Sequence, residues 1–236
     1  MSTYLLVHGA WHSGEIWQRV TPLITGAGHR AFAPSLTGHG DRSHLLGPEV
    51  GLYTHVDDIV QVITDQNLWN VVLVGHSYAG LIISSVAARV PERIGHLVYL
   101  DAMDPKDGQS AIDIIPAAQL LIDHAAETGE PWRLAPLPEQ PDNLFGVTDP
   151  ADRAWLRTIL SDESVLCFQQ PVRLGNTTAD IPRTYIHCTT GAPPDSRNRP
   201  PAQADSAPTQ VWELPTGHDC MVTMPAELTD LLLKLA

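Results

Sequence analysis

The chain has 236 residues, and its 14 lysines and arginines against 27 aspartates and glutamates give a formal net charge of −13. This acidic balance excludes nucleic acid and anionic membranes as expected partners, because both carry the same sign of charge. No apolar stretch reaches the roughly 20 residues that a membrane-spanning helix needs. The three cysteines are scattered and odd in number, which argues against a disulfide framework and favours a reducing compartment.

The first predicted strand, Tyr4 to Val7, begins almost at the first residue, so we expect no cleaved signal peptide and a cytoplasmic protein. The strand leads into a small-residue turn at Gly9 and Ala10. Backbone N–H groups in such a turn can point inward and stabilise an oxyanion. We predict the Ala10 N–H as one donor and Gly9 as a position that requires glycine for its backbone. Gly9 and Trp11 are also candidate substrate contacts.

Short apolar runs alternate with helical patterns along the rest of the core. Strands are predicted at Tyr4–Val7, Arg30–Ala33, Val71–Val74, Ile94–Leu100, Arg183–Cys188 and Thr209–Leu214. Apolar residues spaced i, i+3, i+4, i+7 predict helices around Val56–Ile63 and Leu228–Leu235. This alternation predicts an α/β fold with a mostly parallel central sheet that is flanked by helices on both faces.

The most informative motif is Gly75-His76-Ser77-Tyr78-Ala79, which separates the third predicted strand from an apolar helical stretch, Leu81 to Val90. A serine at the apex of a sharp strand-to-helix turn presents its hydroxyl for attack. Small residues flank it because the turn brings backbone segments close together, and Ala79 departs slightly from the usual glycine. We predict Ser77 as a nucleophile and the Tyr78 N–H as the second oxyanion donor.

A serine hydroxyl needs a base to take its proton, and the base needs an acceptor to orient it. His218 follows the last predicted strand, where a loop at the carboxyl edge of the sheet can deliver it to Ser77. It is therefore the predicted base. His76 is expected to point elsewhere at the turn. For the three histidines of the early loop, surface or lid-facing roles suffice: His39, His44 and His55.

Two aspartates compete to be the acid of the triad. Asp101 ends the strand after the one that carries the serine, so its carboxylate should stand at the active edge. Asp195 follows a later strand, but only beyond Gly191 and two prolines. Asp101 is presented rigidly, whereas Asp195 needs a loop to fold back. We favour Asp101 and keep Asp195 as the alternative.

Residues 102–180 break the strand–helix rhythm and predict a helical lid, or cap, inserted in a core formed by residues 1–101 and 181–236. Helical pieces are expected at Ile112–Glu127 and Ala151–Leu160, with no new strand. An insertion after a central strand can cover the carboxyl edge of the sheet and form a substrate pocket. Trp132 and Trp155 are its candidate substrate-binding residues. Residues 191–208 predict an exposed loop.

Several segments in chain order resemble the α/β-hydrolase superfamily, in particular the small esterase branch of plant methylesterases, hydroxynitrile lyases and bacterial esterases. They span nearly the whole chain: Leu6–His12, Trp17, Gly28–Arg30, Thr37–Gly40, Val74–Tyr78, Tyr99–Ala102, Ile181–Ile186 and Gly217–Asp219. The resemblance implies a serine hydrolase with no metal or organic cofactor. Its substrate would be a small to medium, largely apolar ester or lactone, cleaved through an acyl-enzyme.

Two departures from the branch refine this expectation. Hydroxynitrile lyases place a lysine after the catalytic histidine and a threonine in the oxyanion turn, where this chain has Asp219 and Gly9. Lyase activity is therefore disfavoured. Gly191 stands close to the position where many relatives place the acid, which is a second reason to favour Asp101. Two other functions stay open on this scaffold: a cyclase, dehydratase or releasing enzyme of natural-product biosynthesis, and a non-catalytic ligand receptor.

Overall fold

The computed structural model describes residues 1–136, 143–175, 180–190 and 209–236. Its strands are β1 (Thr3–Val7), β2 (Arg30–Phe32), β3 (Val71–His76), β4 (Ile94–Leu100), β5 (Arg133–Leu134), β6 (Glu163–Ser164), β7 (Arg183–Cys188) and β8 (Thr209–Leu214). Its α-helices are α1 (Thr21–Gly26), α2 (Leu52–Asp65), α3 (Ala79–Arg89), α4 (Ala111–Ile114), α5 (Gln119–Glu127), α6 (Pro150–Ile159), α7 (Val165–Gln169), α8 (Cys220–Thr223) and α9 (Pro225–Leu233). Among these residues, no helix combines the length and hydrophobicity needed to cross a membrane.

The central sheet has the order β2-β1-β3-β4-β7-β8, and all pairings between these strands are parallel. The predicted α/β fold with a mostly parallel sheet is therefore confirmed. Parallel strands end at the same edge of a sheet, so the segments after β1, β3, β4 and β8 converge there. The predicted strands differ only at their ends: β1 starts at Thr3, β2 stops at Phe32 and β3 continues to His76.

Side chains that alternate along the strands enter two separate hydrophobic clusters. Leu5 and Leu73 pack with the apolar stripe of α2 on one face of the sheet. Tyr4 and Leu6 pack with α1 and α9 on the other face. Successive side chains of a strand point to opposite faces of the sheet, so each strand contributes to both clusters and helices cover both faces. This packing holds β3, the strand before Ser77, in the centre of the core.

The inserted segment between β4 and β7 contains α4 to α7, as the helical patterns at Ile112–Glu127 and Ala151–Leu160 predict. The expectation of no new strand is wrong, because β5 and β6 form a two-stranded antiparallel ladder. Each strand has only two residues, which is too short for a period-2 pattern to show in the sequence.

A buried charged side chain joins the insertion to the early loop. Glu163 of β6 lies 3.1 Å from His39, between the carboxylate Oε2 and the imidazole Nε2, and both side chains are almost fully buried. His55 is also buried and its Nδ1 lies 3.8 Å from the Cys167 thiol of α7. His39 and His55 therefore face the insertion rather than solvent, whereas His44 is exposed.

We predict that Glu163→Ala lowers the free energy of unfolding by about 3 kcal/mol, because it leaves His39 buried without its partner. Burial acts to raise the pKa of Glu163, but the charges of His39 and His55 and the hydrogen bonds from His39 and Cys167 together outweigh burial and lower this pKa to about 2. The contribution of ionised Glu163 to the free energy of unfolding is thus present above the ordinary pKa of 4.5 and is lost as pH falls toward about 2. Urea unfolding at pH 7 and at pH 3 measures both effects.

The matched control is Glu130→Ala, which removes an exposed carboxylate paired with Arg133. Exposed pairs contribute little, so a change below about 0.5 kcal/mol is expected. An equal decrease in the free energy of unfolding in the two variants would contradict the prediction that the buried pair stabilises the fold.

Candidate active site

The backbone of Ser77 adopts φ 54°, a left-handed conformation that is uncommon for a residue with a side chain. Two neighbouring segments hold it there. The Ser77 N–H donates to the Leu100 carbonyl at 3.2 Å, and the Ser77 carbonyl accepts from the Met103 N–H at 3.0 Å. A Cβ on Gly75 would lie 2.8 Å from the Ala79 carbonyl oxygen, so the turn requires glycine there. This is the strained strand-to-helix turn that the motif predicts.

Asp101 and His218 form a direct contact at the same edge of the sheet. The His218 Nδ1–H donates to Asp101 Oδ2 at 2.6 Å, and Asp101 Oδ1 accepts from the Cys188 N–H at 3.1 Å. Asp101 also has a left-handed backbone, with φ 43°, and its N–H donates to the Ile186 carbonyl at 2.7 Å. Bonds from β7 therefore fix both the backbone and the carboxylate of Asp101. Asp195 lies outside the described residues.

The loop that carries His218 is held from two directions. The His76 Nε2–H donates to the His218 carbonyl at 3.1 Å, and the two rings lie 4.4 Å apart between centroids. His76 thus turns away from the apex of the serine turn, as expected, and supports the loop that carries His218. From the insertion, the Phe145 carbonyl accepts from the Asp219 N–H at 2.9 Å.

Gly146 and Gly217 pack backbone against backbone in this loop contact. A Cβ on Gly146 would lie 2.5 Å from the Gly217 Cα, and a Cβ on Gly217 would lie 2.4 Å from the Gly146 Cα. Neither position can carry a side chain without moving the other segment. The insertion is therefore in van der Waals contact with the residue that precedes His218.

The turn after β1 lies directly against the serine. A Cβ on Gly9 would lie 2.9 Å from the Ser77 Cβ and 3.0 Å from His76 Nδ1, so this approach requires glycine. The N–H groups of Ala10 and Tyr78 are both in buried residues, and in the described part of the chain neither has a hydrogen-bond acceptor. Buried N–H groups are normally paired, and unpaired ones are typical of a site that binds an anion or oxyanion.

Aromatic rings line the space between this turn and His218. The Trp11 ring lies 6.2 Å from Phe145 and 5.6 Å from Phe168, and Phe145 lies 6.5 Å from His218, all between centroids. The Trp11 Nε1–H donates to the Leu134 carbonyl of β5 at 3.2 Å, which ties the turn to the insertion. Phe145 has φ 51°, which is unusual for a bulky residue, and its ring lies beside His218.

The two tryptophans proposed from the insertion lie in other surroundings. Trp155 is half-buried against the second hydrophobic cluster, with the Arg19 guanidinium 5.8 Å from its ring centroid. Trp132 is also half-buried, and Arg133 lies 6.0 Å from its ring. Among the described residues, neither ring stacks on Trp11, Phe145 or His218. Their roles in substrate binding stay predictions.

The pKa values of the two neighbouring histidines move in opposite directions. Burial acts to lower the pKa of His218, but its hydrogen bond to Asp101 and the negative charges of Asp101 and Asp219 raise the pKa overall. Burial lowers the pKa of His76 well below its usual range, and the charge of His218 adds to this. His76 is therefore neutral near pH 7, while His218 can take up a proton.

Two groups of side chains in the described residues bring three possible metal ligands within 4.8 Å of one another: His39, His55 and Glu163, and His76, His218 and Asp219. In each group the carboxylate already lies within ion-pair distance of a histidine. Glu163 contacts His39, and Asp219 Oδ2 lies 3.0 Å from His12 Nε2. We therefore assign no metal to either group.

Three residues of this region had no role in the sequence-based prediction: His12, His76 and Glu163. Each contacts a partner that is distant in the chain; His12 and Asp219, for example, are 207 positions apart. No periodic pattern indicates such a pair. The sequence did offer two weaker signals: His12 belongs to the segment Leu6–His12 of the family resemblance, and Phe145 is one of the aromatic residues of the inserted segment.

Comparisons with known proteins agree with the fold. Residues 4–231 match the model of the alpha/beta hydrolase family. The chain is 36% identical to the carbendazim hydrolyzing esterase of Nocardioides sp. (strain SG-4G), with 100% of both chains covered. It is 27% identical to methylesterase 1 of Arabidopsis thaliana, covering 99% of this chain and 95% of that protein.

Among solved structures, an extracellular alpha/beta-hydrolase from a Paenibacillus species superposes with a TM-score of 0.83. The alignment covers 100% of this chain and 99% of that chain, at 23% identity, and so supports the fold alone. With the serine turn, the Asp101–His218 contact and the matched family model together, the chain belongs to the alpha/beta hydrolase family and is a carboxylesterase-like hydrolase.

Proposed function

We propose that this protein hydrolyses a carboxylic ester or lactone of a small to medium, largely apolar substrate through an acyl-enzyme. Ser77 is the nucleophile, His218 the general base and Asp101 the acid that orients the base. The observation that carries this proposal is the 2.6 Å contact between Asp101 Oδ2 and His218 Nδ1, at the sheet edge where the strained Ser77 turn ends β3.

Each group has a defined task in this reaction. Because Nδ1 of His218 donates to Asp101, its Nε2 is left to accept the Ser77 proton as the hydroxyl attacks the carbonyl carbon. Negative charge then develops on the carbonyl oxygen, and the N–H groups of Ala10 and Tyr78 stabilise it. The protonated His218 donates to the leaving alcohol. A water activated by His218 then releases the acyl group and regenerates Ser77.

We also propose that the insertion, residues 102–180, acts as the lid of this site. Three contacts support this role: Gly146 against Gly217, the Trp11 Nε1–H bond to Leu134, and the Ser161 N–H bond to the Trp11 carbonyl at 2.8 Å. Phe145, whose ring lies 6.5 Å from His218, and Trp11, whose ring lies 6.2 Å from Phe145, are then aromatic walls of the site. Such walls favour a flat or apolar acyl or alcohol group over a charged one.

A cytoplasmic location is part of the same proposal. Cys167, Cys188 and Cys220 are free thiols and are buried, which suits a reducing compartment.

Covalent labelling tests the proposed nucleophile. A fluorophosphonate reacts with an activated serine by losing fluoride, so the intact protein should gain one phosphonyl group, located on the peptide that contains Ser77 by mass spectrometry. Carbendazim, methyl esters and p-nitrophenyl acetate form the first substrate panel, since the relative at 36% identity is a carbendazim hydrolyzing esterase. Labelling on another residue, or no turnover of any ester in the panel, would overturn the proposal.

The pH dependence of kcat/KM gives a further prediction. His218 must be neutral to act as base, and its pKa is raised above the ordinary value of 6.5. Activity should therefore increase with pH and reach half its maximum above pH 6.5. Asp101→Asn should move this midpoint to lower pH, because it removes a negative charge that stabilises protonated His218. A midpoint clearly below 6.5 in the unmodified protein would argue against His218 as the base.

A further inference from the structure

A buried pair of side chains connects the turn after β1 to the loop of the base. Asp219 directly follows His218, and its Oδ2 lies 3.0 Å from the Nε2 of His12. Both side chains are inaccessible to solvent, with 2% of His12 and 0% of Asp219 exposed. The other ring nitrogen of His12, Nδ1, lies 2.7 Å from the carbonyl oxygen of Ala10.

The two acceptors determine the protons on His12. A backbone carbonyl can only accept, and an ionised carboxylate can only accept, so both ring nitrogens donate. His12 therefore bridges the Ala10 carbonyl and the Asp219 carboxylate. The second carboxylate oxygen, Oδ1, is also buried and lies 3.7 Å from His76 Nε2.

At the His12 end, the pair holds the turn that contains the proposed oxyanion donor. The Nδ1–H bond fixes the peptide between Ala10 and Trp11. Trp11 has φ 65°, so this turn is held in a conformation that an unsupported chain rarely adopts. Fixing this peptide also limits rotation of the preceding one, which carries the Ala10 N–H.

At the Asp219 end, the pair holds the loop of the proposed base. The Asp219 N–H donates to the Phe145 carbonyl at 2.9 Å, so the backbone and the side chain of Asp219 anchor the loop in two directions. The His12 ring also meets the Phe145 ring edge to face, with centroids 4.8 Å apart. The Asp219 carboxylate therefore points toward His12 inside the protein.

We infer that His12 and Asp219 are positioning residues, which fix the oxyanion turn at Ala10 relative to the base His218 through one buried ion pair. This inference rests on the proposed serine mechanism. In this inference Asp219 holds the loop in place and does not contact the substrate. Misplacing a donor or a base by about 1 Å can cost up to 100-fold in rate.

The decisive variant replaces the pair by apolar side chains of similar volume, His12→Phe with Asp219→Leu. Such replacements of buried ion pairs are often neutral or stabilising, so the protein should fold with an unchanged or higher Tm. We expect kcat to fall about 10- to 100-fold while KM stays within about twofold, because the loss is in transition-state stabilisation. Rates are normalised to active sites titrated with a fluorophosphonate.

The conservative variant is Asp219→Asn. An asparagine amide can donate to Nε2 of a neutral His12, whose Nδ1–H still donates to Ala10, so both hydrogen bonds persist. We expect kcat within about threefold of the unmodified protein. A matched control is Asp152→Ala, which removes a carboxylate of α6 that accepts from Arg19 and should leave kcat unchanged.

The affinity for 2,2,2-trifluoroacetophenone reports on how well the oxyanion turn stabilises a negatively charged oxygen. The Ser77 hydroxyl adds to the ketone carbonyl, its proton passes to His218, and the hemiketal oxyanion occupies the place of the reaction's oxyanion. In the His12→Phe, Asp219→Leu variant, affinity for this ketone should fall by about the same factor as kcat. A merely structural pair would change Tm without changing this affinity.

Three results would overturn the inference: an unchanged kcat in the folded double variant, a rise in KM alone, or an Asp219→Asn variant as slow as the double variant. Ser77→Ala is measured beside them. Persistent turnover in Ser77→Ala would reject the serine mechanism itself. An inactive Ser77→Ala together with a fully active double variant would reject only the positioning role.

Discussion

Replacing Ser77 by alanine is expected to abolish ester hydrolysis, with kcat falling by at least about 10⁴-fold on p-nitrophenyl acetate. Without the hydroxyl no acyl-enzyme forms, and only the oxyanion donors and substrate binding remain to assist a direct attack by water. The fold should persist, because the Ser77 backbone bonds to Leu100 and Met103 do not involve its side chain. The measurement is steady-state turnover, with circular dichroism and urea unfolding on the same preparation.

Ser43→Ala is the matched control for this change, since Ser43 is exposed and lies outside the site. Its turnover should equal that of the unmodified protein. Fluorophosphonate labelling should be lost in Ser77→Ala and kept in Ser43→Ala. Undiminished turnover in a folded Ser77→Ala protein would reject Ser77 as nucleophile.

The second large effect is expected at Asp101, the proposed acid. Asp101→Asn should lower kcat by about 10²- to 10⁴-fold, because an amide at this position can donate to Nδ1 and so stabilise the wrong tautomer of His218. That tautomer carries its proton on Nε2 and cannot accept one from Ser77. KM should change little, since Asp101 accepts from His218 and Cys188 rather than from substrate.

Two other aspartates make this experiment selective. Asp104→Asn alters a carboxylate on the same segment that accepts from the Tyr185 hydroxyl at 2.8 Å, and it should leave kcat within about fivefold. Asp195→Asn tests the alternative acid directly. A loss of activity in Asp195→Asn alone would show that the preference for Asp101 is wrong.

The elements of the fold were largely predictable because their signals are local. Short strand-forming runs can be recognised locally: β4 and β7, which are mostly buried, and the mostly exposed edge strand β8 have the same bounds in the prediction and in the structure. The helix α2 follows from its apolar stripe. The strands β5 and β6 could not be predicted, because each has only two residues and so shows no alternating pattern.

The candidate site was predictable only in part. Ser77 and His218 follow from a turn motif and from the rule that parallel strands end at one edge of the sheet. The choice of Asp101 rested on the rigidity of its position, and its 2.6 Å distance to His218 is a property of the packed sheet. The surroundings of Trp132 and Trp155 likewise depend on how the insertion packs on the core.

By itself, the sequence determined the class of fold, the strained serine turn and the family, because each depends on residue types at short spacing. Only the tertiary structure decided which distant side chains meet: Asp101 with His218, Asp219 with His12, and Glu163 with His39. The physical reason is that hydrogen bonds and ion pairs act over about 3 Å, whereas these partners are separated by more than 100 residues of chain. Their contact depends on the packing of the sheet, its connecting loops and the insertion, and no local pattern encodes it.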